Sequence, residues 1–153
     1  MTVFVTGAID SGKTSFARGV ALELARQGRR VAGVLSPARR ERGRKVLYFI
    51  ENLRTGFRRP LLERRQGGPR SAPGGFAFGN MVLRRVRGGV AIVDEFGPLE
   101  LAGGGFFRQT RRLARRKGVD LIVVVRLGLA PAAAKALGLR GYCVVNLDER
   151  NRR

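Results

Sequence analysis

A chain of 153 residues is long enough to bury one core and short for two domains. Its formal charge of +20 is carried mostly by arginine; histidine is absent and Cys143 is the only cysteine, which excludes disulfide frameworks, His/Cys metal clusters and Ser–His or Cys–His nucleophile pairs. No apolar run approaches the roughly 18 to 20 residues of a membrane span, and MTVFVTGAID carries neither a basic leader nor a signal core, so the sequence predicts one cytoplasmic domain over residues 1–153.

Residues 2–6, TVFVT, are a β-branched and aromatic run ending at a glycine turn, which predicts a buried strand. Phe16, Ala17, Val20, Ala21 and Leu24 recur at helical spacing, predicting a helix from Lys13 to Gln27 that Gly28 terminates. A second strand follows over 30–35, then a charged turn over 36–44. Residues 45–51 and 56–62 read as a hairpin, because NLRT between them is too short for a parallel crossover. QGGPRSAPGG at 66–75 reads as a mobile loop. Phe76 and Phe78 suggest a short extended piece, and Val82, Leu83 and Val86 a brief helix.

An apolar strand is predicted over 89–93, which puts Asp94 at a strand's carboxyl end. Between Gly105 and Lys117 one stripe of Phe106, Phe107, Thr110, Leu113 and Ala114 faces a basic remainder. Residues 120–125 read as a central parallel strand, 130–137 as a helix and 142–146 as a last strand. Cys143, in the apolar stretch GYCVVNL, is expected to be a buried structural thiol. Strands alternating with helices predict a three-layer α/β fold: a mainly parallel sheet with an inserted β-hairpin, and a ligand site at the strands' carboxyl ends.

Gly7-Ala8-Ile9-Asp10-Ser11-Gly12-Lys13-Thr14 matches G-x-x-x-x-G-K-[ST], with a strand before it and a helix after it. Glycines let backbone N–H groups curl around phosphate oxygens, and the helix start, including Ser15, adds partial positive charge. Lys13 then supplies a point charge to the β- and γ-phosphates, and the Thr14 hydroxyl a ligand for Mg²⁺. Asp10 sets a negative charge inside this loop, which requires its side chain to point outward or to bond the loop's own backbone. The strand ending in Asp94-Glu95 has the Walker B form: Asp94 is the natural Mg²⁺ carboxylate, and Glu95 is placed to orient or deprotonate a water. Glu100 is either a further carboxylate of the site or a surface charge.

Read together, VTGAIDSGKT at 5–14, NLRTGFRR at 52–59 and VDEFGPLEL at 93–101, with Arg126 closing LIVVVR, resemble the nucleoside-triphosphatase family first described in thermophiles, which has a human cancer-related relative. The segment between Phe78 and Gly89 looks shorter than the family's. The resemblance implies a RecA-like P-loop fold and slow Mg²⁺-dependent hydrolysis of ATP, GTP and other nucleoside triphosphates with little base selectivity. It further implies that Glu95 is the catalytic carboxylate and that Arg126 faces the phosphates.

Two other functions fit the same residues. A small-molecule or nucleotide kinase would use the same P-loop, with 66–75 as its lid. A nucleotide-regulated nucleic-acid-binding protein would use the basic surface, although that surplus also fits arginine simply replacing lysine across solvated faces. No membrane partner is expected.

Overall fold

The structure, a computed structural model, describes residues 1–65 and 68–150. In chain order it contains β1 (Thr2–Thr6), α1 (Lys13–Arg26), β2 (Val31–Leu35), β3 (Ala38–Glu41), β4 (Arg44–Asn52), β5 (Arg58–Arg65) and β6 (Gly68–Ser71). These are followed by α2 (Gly75–Arg84), β7 (Gly89–Phe96), α3 (Pro98–Leu101), α4 (Phe107–Ala114), β8 (Val119–Val125), α5 (Ala130–Leu137), β9 (Cys143–Asn146) and α6 (Leu147–Arg150). One sheet takes the strands in the order β6-β5-β4-β2-β7-β8-β1-β9, with β3 paired to β4. The stretch β2-β7-β8-β1-β9 is parallel. From β2 outward through β4, β5 and β6 the pairing is antiparallel. The predicted mainly parallel sheet with an inserted hairpin is therefore present, and the insertion is larger than expected.

Strand side chains alternate between two helix layers, which is why the central strands are apolar over most of their length. Phe4, Ala91, Val93, Leu121, Val123 and Val125 face one core with Leu83, Leu113 and Leu137 of α2, α4 and α5. Val5, Val90, Ile92 and Val124 face the other, with Ala17 and Ala21 of α1. Each large side chain fully removed from water there contributes about 1.5–3 kcal/mol, and the parallel strands' carboxyl ends are thereby held at one edge. Among the described residues no helix is long and apolar enough to cross a membrane.

Four local expectations are corrected. Residues 38–41, expected in a charged turn, are β3, and 68–71, expected in a mobile loop, are β6, paired with β5 from Leu62↔Ser71 to Arg65↔Gly68; Gln66 and Gly67 lie outside the described residues. Phe76 and Phe78 belong to helix α2, whose Gly75 and Gly79 allow close approach to Pro60 and Phe106. Cys143 is exposed, because β9 is the edge strand of the sheet, beside β1.

The insertion is fastened to α1 by a buried carboxylate. Glu51 accepts two hydrogen bonds from Arg18, at 2.6 and 3.0 Å, and one from Arg58 at 2.6 Å. Arg18 above all, and then Arg58, holds the Glu51 carboxyl below its ordinary value of 4.5 against the opposing effect of burial. The folded state thus binds this proton less readily than the unfolded chain. Its contribution is complete above pH 4.5 and is lost as pH falls through the lowered folded value. Glu51→Gln is expected to cost about 1–3 kcal/mol at pH 7 and to flatten the acid limb of a Tm-versus-pH curve; an unchanged acid limb would remove Glu51 from that role.

Candidate active site

The loop 7–14 leaves β1 at Thr6 and enters α1 through Gly12, which takes a left-handed φ of 82°. No side chain caps the first turn of α1 and no acidic residue lies in it, so the orphan N–H groups of a 14-residue helix point into the loop. Lys13 folds across the mouth, its Nζ donating to the carbonyls of Gly7 at 2.9 Å and Ala8 at 2.6 Å. Gly7 has no side-chain room: a Cβ there would lie 2.6 Å from Ser11 Oγ. That Ser11 oxygen is itself buried without a hydrogen-bond partner. Unused donors and a cation around a concave backbone are what a polyphosphate requires.

Asp94 sits on β7, beside the start of α1. Thr14 stands beside its carboxylate, and Ser36 N–H donates to Oδ2 at 3.1 Å. The Ser36 hydroxyl donates to the Asp94 backbone carbonyl. Only 1% of Asp94 is exposed, and this burial pushes its carboxyl up to about 6, aided by the neighbouring Glu95 charge and opposed by Ser36, Thr14 and the Lys13 ammonium. A buried carboxylate and a hydroxyl in contact are hard oxygen donors suited to Mg²⁺. Among the described residues there is no cluster of three metal-binding side chains, so a cation here would draw its remaining ligands from phosphate and water.

Glu95 follows at a register irregularity in the β7–β8 pairing between Asp94 and Phe96, and the Asp94–Glu95 peptide is cis. Its Oε1 accepts from Arg126 Nε at 2.8 Å, both side chains remaining partly exposed at the sheet's carboxyl edge. Arg126 thus holds Glu95 through its Nε. Glu100 takes neither role foreseen for it. It is buried and accepts from the N–H of Gly97 at 2.9 Å and of Phe106 at 3.2 Å. Burial raises its pKa. A Cβ at Gly105 would fall 2.0 Å from its Oε1, so glycine is required there. The D-E-x-G-P-x-E-L stretch thereby becomes intelligible: its second glutamate clamps the turn that carries the first.

Four participants lie outside the predicted set. Ser36 supports Asp94, and Asp148 Oδ2 accepts the Ala8 N–H at 2.8 Å from 140 residues away. Arg40 and Lys45 hold Asp10, whose side chain points outward from the loop. A serine after a strand followed by proline signals only a turn, and no local pattern announces the others. Ile9 is exposed at the crown of the loop, and Ser15 is exposed on the first turn of α1.

A family model described as NTPase matches residues 2–153. Nucleoside-triphosphatase THEP1 of Methanopyrus kandleri is 35% identical over 129 residues, covering 80% of this chain and 72% of its own length. The THEP1 of Thermococcus kodakarensis is 31% identical over 141 residues, covering 82% and 77%. Among solved structures, THEP1 of the hyperthermophile Aquifex aeolicus superimposes with a TM-score of 0.74 at 21% identity, over 99% of this chain and 92% of that one. A human cancer-related nucleoside triphosphatase gives 0.76 at 22% identity, over 99% and 95%. These two likenesses establish the shared fold.

Proposed function

The chain belongs to the nucleoside-triphosphatase family of the THEP1 type, and on that premise we propose that it hydrolyses ATP, GTP and other triphosphates to diphosphate and phosphate, depends on Mg²⁺, and selects little for the base. The observation that carries this reading is the contact between Thr14 and Asp94, which joins the P-loop to the acidic strand end. Backbone N–H groups of residues 7–15 and the Lys13 ammonium bind the β- and γ-phosphates. Thr14 and Asp94 would hold Mg²⁺, which when bound neutralises phosphate charge. Glu95 orients a water on the γ-phosphorus and takes its proton as the new P–O bond forms; the bond to the bridging oxygen breaks and leaves the diphosphate. Arg126 fixes Glu95 and shares the developing charge. Phosphate release from ATP, GTP, CTP and UTP, each with and without Mg²⁺, tests this. Lys13→Ala is expected to abolish release and to weaken binding at least about 100-fold; activity indifferent to Lys13 and to Mg²⁺ would sink the reading. The kinase alternative loses its lid, since 68–71 is a sheet strand.

A second reading is favoured by one surface. No Asp or Glu occurs between Glu63 and Asp94 or between Glu100 and Asp120. The helices of those two stretches, α2 and α4, pack together, joined by Arg112 Nη2 donating to the Leu83 carbonyl and Arg116 Nε to the Arg87 carbonyl. Arg108, Arg111, Arg112 and Arg115 line a depression of about 260 Å³ on α4. This acid-free face fits a nucleic-acid phosphate backbone. Duplex binding that falls with salt at a log–log slope of about −0.9 per contact supports it, and binding that is absent or flat with salt rejects it.

A further inference from the structure

Asp10 occupies a P-loop position with φ of 65°, a left-handed conformation that glycine adopts freely and Asp tolerates. Its carboxylate points away from the loop backbone, toward the β3–β4 hairpin. There it is claimed twice on one oxygen: Lys45 Nζ lies 2.5 Å and Arg40 Nη2 2.8 Å from Oδ1. Lys45 first, and Arg40 second, hold this carboxyl below its ordinary value, so it is charged. One carboxylate balances only one of the two cations, and a positive charge is left over beside the phosphate cradle.

Both cations come from the same arm. β4 pairs with β2 only through Val34↔Asn52 and Leu35↔Glu51. The rest of β4, from Ile50 back to Arg44, continues beyond the carboxyl end of β2 with β3 alongside, so the β3–β4 arm overhangs the site edge. The root of the arm is Ser36, bonded to Asp94, and its tip reaches the P-loop through Asp10. Arg40 and Lys45 are both partly solvent-exposed, as is Asp10, so the side chains have room to turn. Both are bound to a residue of the phosphate loop whose own charge opposes a polyphosphate.

We propose that Arg40 and Lys45 are ligands of the nucleotide's terminal phosphate, held by Asp10 until a nucleoside triphosphate binds and then transferred to its phosphate. The ligand class is a polyphosphate ending in a γ-phosphate. The arm thus separates triphosphate from diphosphate, and Asp10 acts as an internal competitor for it. Charge-assisted hydrogen bonds to phosphate oxygens supply the affinity, with arginine offering two N–H groups and lysine a compact charge. This inference rests on the P-loop reading above.

The test is calorimetric binding of a non-hydrolysable triphosphate analogue and of the diphosphate, both with Mg²⁺, to the parent protein, Arg40→Ala/Lys45→Ala, Asp10→Gly and the triple variant. Glycine suits the φ of residue 10, so Asp10→Gly leaves the loop unstrained. The double variant is expected to bind the triphosphate analogue about 10- to 100-fold more weakly and the diphosphate within about threefold of the parent. Asp10→Gly is expected to bind the triphosphate about threefold or more tightly, a gain that disappears in the triple variant. Equal losses for triphosphate and diphosphate, or no loss, overturn the assignment, as does weaker triphosphate binding by Asp10→Gly. If the parent protein takes up neither nucleotide, the P-loop reading itself fails, which separates the two outcomes.

Discussion

Arg126→Ala is expected to slow turnover by about 10³-fold, the range in which an arginine that stabilises a transferring phosphoryl group is found. The side chain has two tasks that arise from one position. It leaves the end of β8, a strand buried on both faces, so its Cα is fixed while its guanidinium stands 59% exposed at the site. Nε is committed to Glu95 at 2.8 Å, which leaves the Nη groups of the same rigid plane to meet developing phosphate charge. Because the group is exposed, its removal should change stability by no more than about 0.5 kcal/mol, and the loss reads as chemistry. Arg126→Lys separates the tasks. Lysine restores a charge but not the fork, so it should recover part of the affinity for triphosphate and little of kcat. A loss below tenfold in the alanine variant would reduce Arg126 to a surface ion pair.

How much of this was legible depends on where the physical cause of each feature lies. The P-loop is local: the glycines, lysine and threonine, the strand before and the helix after all fall within 25 contiguous residues, and α1 begins at Lys13 as the spacing predicts. The apolar strands were equally legible, since burial on both faces makes each a nearly continuous apolar run. The arm was not. Its β3, ARRE, has solvent on most of its side chains, so no alternation marks it, and its pairing with β4 is visible only in three dimensions. Residues 68–71 carry glycine and proline, yet an outer strand tolerates both because half of its backbone groups need no partner. Phe76 and Phe78 mimic a strand's alternation, but the glycines at 75 and 79 on one helical face were the better clue. Cys143 shows the converse: an apolar run that is exposed because it forms the sheet's edge. At the site, Ser36, Asp148 and the partners of Asp10 escape any reading of spacing, since each meets its partner across 30 or more residues.

Glu95→Gln should lower kcat by about 10²- to 10⁴-fold, the usual contribution of a positioned base, while equilibrium binding of the triphosphate stays within about threefold. The substitution is nearly isosteric, and the glutamine oxygen still accepts the Arg126 Nε hydrogen bond, so the geometry of the pair survives. What disappears is the negative charge and the capacity to take a proton. Its placement is over-determined, which makes the comparison clean. Glu100, buried, ties Gly97 and Phe106 to one carboxylate, and a Cβ at Gly97 would sit 3.4 Å from Glu95 Oε1 and 3.6 Å from Arg126 Nε. The pair thus rests on a turn that Glu100 holds. Glu100→Ala should reach the same chemistry indirectly, lowering kcat together with thermal stability, whereas Glu95→Gln lowers kcat with Tm unchanged. Stopped-flow phosphate release, nucleotide binding and thermal melts on both variants decide it. Full activity in Glu95→Gln would show that the water is aligned by some other group, and Asp94, the remaining carboxylate beside Lys13 and Thr14, would have to be examined in its place.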